Sequence, residues 1–162
     1  MADVFGNKYQ IFFSATAITV AGAEITAAEV RAATLTIDTG QTQKASIGRT
    51  RSTSEYKKRS GTNQAVGAKA NSMSFDVVVD HADPLYIALL AKYNSGAAIA
   101  LAEAVKNDGT KLADLTAFAA STSRGIGGNW YVTGMGEEHP EDGVVTTAVT
   151  LTPVAGQVVD LT

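Results

Sequence analysis

The 162-residue sequence contains no cysteine, three prolines, two histidines and one tryptophan. Without cysteine the chain forms no disulfide framework, no thiolate metal site and no cysteine nucleophile. It has no run of about 18 apolar residues, which excludes a membrane-spanning helix. The first residues lack the basic region and the apolar stretch of a secretory signal. We therefore expect no membrane association and no export by that route.

The motifs of common enzyme chemistries are also missing: no G-x-S-x-G, H-E-x-x-H or P-loop pattern occurs. The glycine-rich stretch 124–128 leads into a predicted strand and not into a helix, which disfavours a phosphate site. The acidic turn 137–142 contains His139 but lacks the ligand spacing of a calcium loop, so a solvated hairpin tip is favoured over a metal site. We expect no enzyme activity, no catalytic residue, no metal and no cofactor.

Small residues and threonine dominate what is present. Alanine occurs 27 times, threonine 19 times and glycine 15 times, whereas aromatic residues make up 7%. Apolar residues occupy every second position from Met73 to Val79, and Ser74, Asp76 and Val78 lie between them, which is typical of a strand. Similar alternation at 9–15, 33–39, 129–136 and 144–152 predicts further strands. The pattern indicates one domain over residues 1–162, a mainly β fold with an antiparallel sandwich or partial barrel.

One helix is clearly predicted. Asp83 can accept hydrogen bonds from the first turn, and Pro84 suits the first helical position. Apolar residues then recur at helical spacing as far as Tyr93, so we expect this helix to flank the sheet. Residues 97–106 fit a strand better than a helix because the turn signal Asn107-Asp108-Gly109 predicts a tight hairpin. Residues 112–120 fit either structure.

The charge is unevenly distributed. Residues 41–70 hold seven basic residues and one acid, a net charge of +6, whereas the rest of the chain has a net charge of −9. This segment is polar and has few large apolar residues, so we expect a long loop, here called the arm. Three interpretations remain: a protein-contact arm that docks on an acidic surface such as a second copy, a solvated loop, or a nucleic-acid-binding segment. Only the first uses both halves of the charge distribution.

The order of these elements resembles that of bacteriophage tail tube (major tail) proteins. A strand pair and a long polar loop come first, and a strand and a helix follow at 72–80 and 83–93. The segments GNWYVTGMGEEHPEDG and VVTTAVTLTP are similar in character to the hairpin that closes that fold. Type VI secretion tube proteins share it.

The resemblance implies a structural subunit that forms hexameric rings, which stack into a hollow tube for DNA. The arm then lies between rings. Its predicted contact residues are Lys44, Arg49, Arg51, Lys57, Lys58 and Arg59. Acids in the lumen let DNA slide without specific binding, and the candidates for this position are Asp38, Asp76, Asp80 and Glu103.

The resemblance further implies a location in the virion tail after synthesis in the cytoplasm of the host bacterium. The implied partners, besides other copies of the chain, are a tape measure protein, a tail tip or baseplate, a tail terminator and, in a contractile tail, a sheath. The alternatives are a type VI secretion-like tube subunit, a capsid decoration protein and, least favoured, a nucleic-acid-binding module.

Overall fold

The computed structural model describes residues 9–38, 42–59, 61–108 and 112–162. Seven strands are present in this part of the chain: β1 (Gln10–Ser14), β2 (Thr36–Ile37), β3 (Thr42–Lys58), β4 (Gly61–Val78), β5 (Ile99–Lys106), β6 (Ser123–Glu138) and β7 (Thr146–Asp160). They form one antiparallel sheet in the order β2-β1-β5-β6-β7-β4-β3. The prediction of a mainly β, antiparallel fold with one main helix is confirmed.

The main helix, α2 (Pro84–Ser95), begins at the predicted cap and ends two residues beyond Tyr93, the predicted last residue. The Asp83 carboxylate accepts the backbone N–H of Leu85 at 3.2 Å, which satisfies one of the unpaired donors of the first turn. Gly96 follows the helix in the left-handed conformation, with φ of 72°, and its N–H bonds the carbonyl of Lys92. Local sequence therefore fixes both ends of α2.

A shorter helix, α1 (Ala27–Ala32), was not predicted. It begins with a capping box: the Thr26 hydroxyl accepts the Glu29 N–H at 3.2 Å, and the Glu29 carboxylate accepts the Thr26 N–H at 2.7 Å. The Glu29 carboxylate accepts hydrogen bonds from the backbone N–H groups of Ala21 and Thr26. These bonds stabilise its charged form and hold the pKa of Glu29 below the usual value. The Thr-x-x-Glu spacing was the available sequence signal.

Both faces of the sheet carry apolar clusters. On one face, α2 contributes Leu85 and Leu89 to a cluster that includes Phe75 and Trp130. On the other face, Val30 of α1 packs in a cluster with Phe12. Buried strand residues such as Met73, Phe75 and Val77 alternate with more exposed neighbours, which explains why the strand pattern was visible in the sequence.

The expectation of a loop over residues 41–70 is wrong for the described part of that segment. Residues 42–58 form β3, and residues from 61 onward form β4; the two strands pair from Thr42↔Val77 to Lys58↔Gly61. We call this β3–β4 unit the hairpin. Hydrogen bonds between the backbones join these two strands, although the strands carry few large apolar side chains. Because the composition lacked such residues, it indicated a loop where the chain is in fact extended.

The connection between β5 and β6 also differs from the predicted tight hairpin. Residues 99–106 are a strand, as expected, and Lys106 pairs with Ser123. The connection between them spans 107–122 and includes a 3-10 turn at Leu115–Ala117. Leu112 and Leu115 are buried in the α1-side cluster, and this packing favours a long connection over a two-residue turn. Gly109 lies outside the described residues.

Gly128→Ala is expected to destabilise the fold, whereas Gly136→Ala in the same strand is not. Gly128 has φ of +149°, and a Cβ there would lie 2.0 Å from the carbonyl oxygen of Gln157. A non-glycine residue in such a conformation costs about 1–3 kcal/mol before any overlap is relieved. A Cβ at Gly136 meets nothing within 4 Å. Urea unfolding of both variants measures the difference; equal stabilities would contradict it.

Candidate functional site

The hairpin places most of the predicted contact residues on a projecting element. β4 pairs with β7 only from Ser74↔Thr150 to Val78↔Thr146. The remaining 13 residues of β4, from 61 to 73, extend roughly 40 Å at the usual rise of a strand. The basic residues of the hairpin whose side chains the structure describes are exposed, namely Arg49, Arg51, Lys57, Arg59 and Lys69. The side chain of Lys58 lies outside the described part of the structure.

Lys44 is separated from these cations. It lies at the base of the hairpin, with φ of 51°, next to a shift in the β3–β4 register. Its ammonium group lies 3.3 Å from the Asp76 carboxylate. Because the Lys44 side chain is 74% exposed, this ion pair contributes little to stability. Lys44 therefore lies far from Lys57 and Arg59 at the hairpin tip.

Four strands at one side of the sheet form a lobe with one uncovered face. The lobe consists of the paired parts of β3, β4, β7 and β6, and α2 packs against its other face. Across the uncovered face, Ser46 is opposite Ser74, Ser74 opposite Thr150, and Thr150 opposite Gly134. The hydroxyl oxygens of Ser46 and Ser74 lie 3.0 Å apart. Small and hydroxylated side chains thus make this face polar and flat.

The lobe has two strand edges that pair with no other described strand. β3 pairs only with β4. β6 pairs with β5 as far as Trp130, so its residues 131–138 bond β7 on one side only. Unpaired N–H and C=O groups along such edges are templates for pairing with another chain. β3 and β6 run antiparallel to one another in the lobe, so the two edges are suited to antiparallel pairing between copies.

The four candidate lumen acids are not brought together. Asp76 lies on the uncovered face, opposite Ala148, with its side chain 19% exposed. Asp80 is exposed just beyond β4, where its carboxylate accepts the N–H of Ala82. Asp38 is buried, and its backbone N–H bonds the carbonyl of Ile11. Asp76 is therefore the candidate whose position on this face fits the expectation.

Glu103 does not fit that expectation, because it is completely buried. It lies between Ile11 and Ile126 in the register, on the face that packs against α2. Neither carboxyl oxygen has a hydrogen-bond partner among the described residues. Burial without a partner disfavours the charged form and raises the pKa of Glu103 to about 8. Glu103 contributes no charge to the surface of the subunit.

The acidic turn and Asp80, which the sequence analysis did not connect, lie together at the end of the sheet opposite the hairpin tip. We call this group the acidic end; its members are Asp80, Glu137, Glu138, Glu141 and Asp142, all exposed. The Val79 N–H bonds the Val145 carbonyl, which joins the end of β4 to the β6–β7 turn. His139 lies 3.3 Å from Glu137 within this turn. Only strand pairing brings Asp80 to the turn, so sequence spacing could not reveal it.

A cleft of about 1080 Å³ separates the hairpin from the second half of β7. One wall carries Arg49, Arg51 and Lys69, and the other is formed by β7 residues from Pro153 onward together with Glu24 and Ile25. Arg49 crosses the cleft and pairs with Asp160. Partial burial opposes ionisation of Asp160, but hydrogen bonds from Arg49 and Thr162 and the charge of Arg49 outweigh it, so the pKa of Asp160 is lowered. The cleft is thus polar, with a cationic hairpin wall.

Two further features bear on the possible chemistry. No group of three or more His, Cys, Asp or Glu in the described ranges is arranged to hold a metal ion. None of the described helices has the length and apolar character needed to cross a membrane.

Comparison with solved structures identifies the fold. The structure is similar to a subunit of the SPP1 tail tube, determined by solid-state NMR and cryo-EM, with a TM-score of 0.57 and 15% identity over 98% of this chain and 78% of that one. It is also similar to a chain of the anti-feeding prophage (AFP) baseplate, which was six-fold symmetrised, with a TM-score of 0.57 and 10% identity over 93% of this chain and 91% of that one. No family model and no curated protein sequence matches.

The likeness shows a phage tail tube-like fold, as the sequence resemblance predicted. Both similar chains belong to assemblies built from protein subunits, a tail tube and a baseplate. The identities are low, so the comparison defines the fold and leaves the details of assembly to be argued from the residues.

Proposed function

We propose that this chain is the structural subunit of a phage tail tube, in which six copies form a ring and rings stack into a hollow conduit for DNA. The observation that carries the proposal is the four-stranded lobe with two unpaired edges, one on β3 and one on β6. Pairing of the β3 edge of one copy with the β6 edge of the next removes both edges and closes a ring.

The uncovered face of the lobe supports an inward orientation in this ring. With α2 on one face, the other face of each lobe lines the channel. Its side chains are small, and the register places Ser74, Asp76 and Thr150 on it. The small hydroxylated side chains carry no charge, and the Asp76 carboxylate neutralises the ammonium group of Lys44, which lies 3.3 Å from it, so DNA passes without specific binding. Asp76 is the acid that we place in the lumen.

The hairpin supports stacking of the rings. It extends beyond the part of β4 that pairs with β7, and its basic side chains are exposed. In this proposal the hairpin is the inter-ring arm. The other partners are those of a tail: a tape measure protein, a tip or baseplate, a terminator and, in a contractile tail, a sheath. The likeness to the AFP baseplate favours a second candidate, a baseplate component that forms single rings.

Negative-stain electron microscopy and native mass spectrometry of the purified protein test this function. We expect hollow tubes and a six-subunit species of about 101 kDa, six times the chain mass of 16.8 kDa. Six-membered rings that never stack favour the baseplate candidate. A protein that stays monomeric at high concentration contradicts ring formation by the free subunit.

The ring edge has its own test, with Gly136→Pro and Glu137→Pro as separate variants. Successive residues of a strand direct their N–H groups to opposite sides, so one of these prolines removes a bond to β7 and the other removes a donor from the open edge of β6. We expect one variant to lose stability and the other to keep its melting temperature but lose ring formation. If the folded variant forms normal rings, β6 is not the ring edge.

A further inference from the structure

Backbone pairing joins the hairpin to the rest of the sheet only at its base. The pairing of β4 with β7 ends at Ser74↔Thr150, whereas β7 continues along β6 as far as Asp160, which pairs with Ile126. The cleft lies between these two diverging parts. The register of the hairpin is irregular close to its base, where Lys44 has φ of 51°, and such irregularities bend a strand. Backbone pairing therefore leaves the angle between the hairpin and the body of the subunit weakly determined.

An ion pair crosses the cleft and bridges the two parts. The guanidinium Nε of Arg49 donates to one carboxylate oxygen of Asp160. Arg49 follows Ser46, the residue opposite Ser74, by three positions, so it belongs to the part of the hairpin that has left β7. The pair therefore ties the free part of the hairpin to the far end of β7.

Asp160 is itself held in place by the residues that follow it. Its other carboxylate oxygen accepts the Thr162 N–H at 3.1 Å and a further hydrogen bond from the Thr162 hydroxyl. The neighbouring Leu161 is completely buried, and its N–H bonds the Gly125 carbonyl at 3.0 Å. Because the carboxylate is already ordered, forming the pair with Arg49 costs less side-chain entropy.

The hairpin is a lever on which this pair acts close to the base. From Ser46 the hairpin extends roughly 10 Å to Arg49 and roughly 40 Å to Lys58 at the rise of a strand. A play of about 1 Å at Arg49 therefore becomes about 4 Å at the tip. Because the Arg49 and Asp160 side chains are 46% and 36% exposed, the same pair adds little to the free energy of unfolding. The position of the tip thus depends on the pair more than the stability of the subunit does.

We propose that Asp160 is a positioning residue for the hairpin: through Arg49 it fixes the angle at which the hairpin leaves the subunit, before a neighbouring ring is met. This inference rests on the proposed function, in which the hairpin is the inter-ring arm. An arm that is already oriented docks at a smaller cost in conformational entropy. Without the pair, a ring keeps both of its edges but stacks more slowly.

A distance measurement in the free subunit tests the angle directly. Lys57→Cys near the hairpin tip and Ser95→Cys at the end of α2 supply two exposed spin-label sites in a chain without other cysteines. Double electron–electron resonance is recorded at a concentration at which native mass spectrometry detects the monomer. We expect a narrow distance distribution for this background chain. After Asp160→Asn or Arg49→Gln we expect a distribution that is broader by several ångströms.

Glu24→Gln is the matched control, because Glu24 also lines the cleft and the substitution is again from acid to amide. We expect its distance distribution to stay narrow. Thermal unfolding is expected to give nearly equal melting temperatures for the background chain and all three variants, which shows that any broadening is not loss of the fold. Unchanged distributions in Asp160→Asn and Arg49→Gln, or equal broadening in Glu24→Gln, overturn the proposal.

Electron microscopy of the same substitutions in the chain without labels separates this inference from the proposed function. For Asp160→Asn and Arg49→Gln we expect rings as in the wild type, and fewer or shorter tubes at equal protein concentration. Tubes as abundant as those of the wild type, despite a broadened distance distribution, overturn the role of the pair in stacking. If the wild type forms neither rings nor tubes, the proposed function is wrong, and the resonance measurement still decides whether Asp160 fixes the hairpin.

Discussion

The wild-type protein is expected to lose stability as the pH rises from about 4.5 to about 8. Glu103→Gln is expected to remove this loss. The pKa of Glu103 rises from 4.5 to about 8 because the carboxyl group is buried without a hydrogen-bond partner. The folded state therefore holds more protons than the unfolded state in this range, and the free energy of unfolding falls as the pH rises. At 1.36 kcal/mol per pKa unit, the loss amounts to about 5 kcal/mol and is complete above about pH 8.

Urea unfolding at pH 5, 7 and 9 measures this effect. Of the three pH values, the wild-type protein is expected to gain most stability from Glu103 at pH 5. In Glu103→Gln this part of the pH dependence of the free energy of unfolding is expected to disappear, because an amide does not titrate. The matched control is Glu138→Gln, the same acid-to-amide change at an exposed position. Identical pH profiles for the wild type and Glu103→Gln would mean that the carboxyl group is solvated in the folded state.

Glu103→Leu extends the same argument. Leucine places apolar atoms between Ile11 and Ile126 and leaves no polar group without a partner. Because burial of an unpartnered carboxyl group opposes folding, this variant is expected to be more stable than the wild type at pH 7 and above. Hyperstability of Glu103→Leu together with normal rings would show that the buried acid is not needed for assembly.

Trp130→Ala is expected to destabilise the subunit by about 3–5 kcal/mol, the usual cost of removing a large aromatic side chain from a core. Trp130 is completely buried in the cluster under α2, and its indole N–H donates to the carbonyl of Leu101 at 3.1 Å. In a chain of this length the change lowers the melting temperature by roughly 10 °C. Trp130→Phe keeps part of the volume but loses the hydrogen bond, so an intermediate loss is expected.

Tyr131→Ala is the matched control, because Tyr131 is the next residue along β6 and is 42% exposed. Thermal unfolding followed by circular dichroism is expected to show a much smaller change for it. Equal losses for Trp130→Ala and Tyr131→Ala would contradict the assignment of alternate β6 residues to the core and to the surface.

Features that depend on neighbouring residues in the chain were predictable. The alternation from Met73 to Val79 predicted a strand because one face of it is buried. Asp83 and Pro84 predicted the start of α2 because caps act within one turn of the helix. The capping box at Thr26 and Glu29 carried the same kind of local information for α1 and was missed.

The hairpin was not predictable from its periodicity. Most of β3 and the first part of β4 pack against no core, so their side chains need not alternate between apolar and polar. The signal for these strands is the pairing of one with the other, which joins Thr42 to Val77 across 35 positions of the chain. The excess of basic residues in this segment was nevertheless visible, since net charge requires no knowledge of conformation.

Composition and local pattern were enough to show a mainly β chain without a recognised catalytic motif, with one capped helix and a basic segment in an acidic body. Where the charges lie depends on the tertiary fold. It buried Glu103, gathered Asp80 with the β6–β7 turn, and left the edges of β3 and β6 open. The physical reason is that burial, charge proximity and unpaired edges arise from contacts between residues distant in sequence, whereas composition and capping act locally.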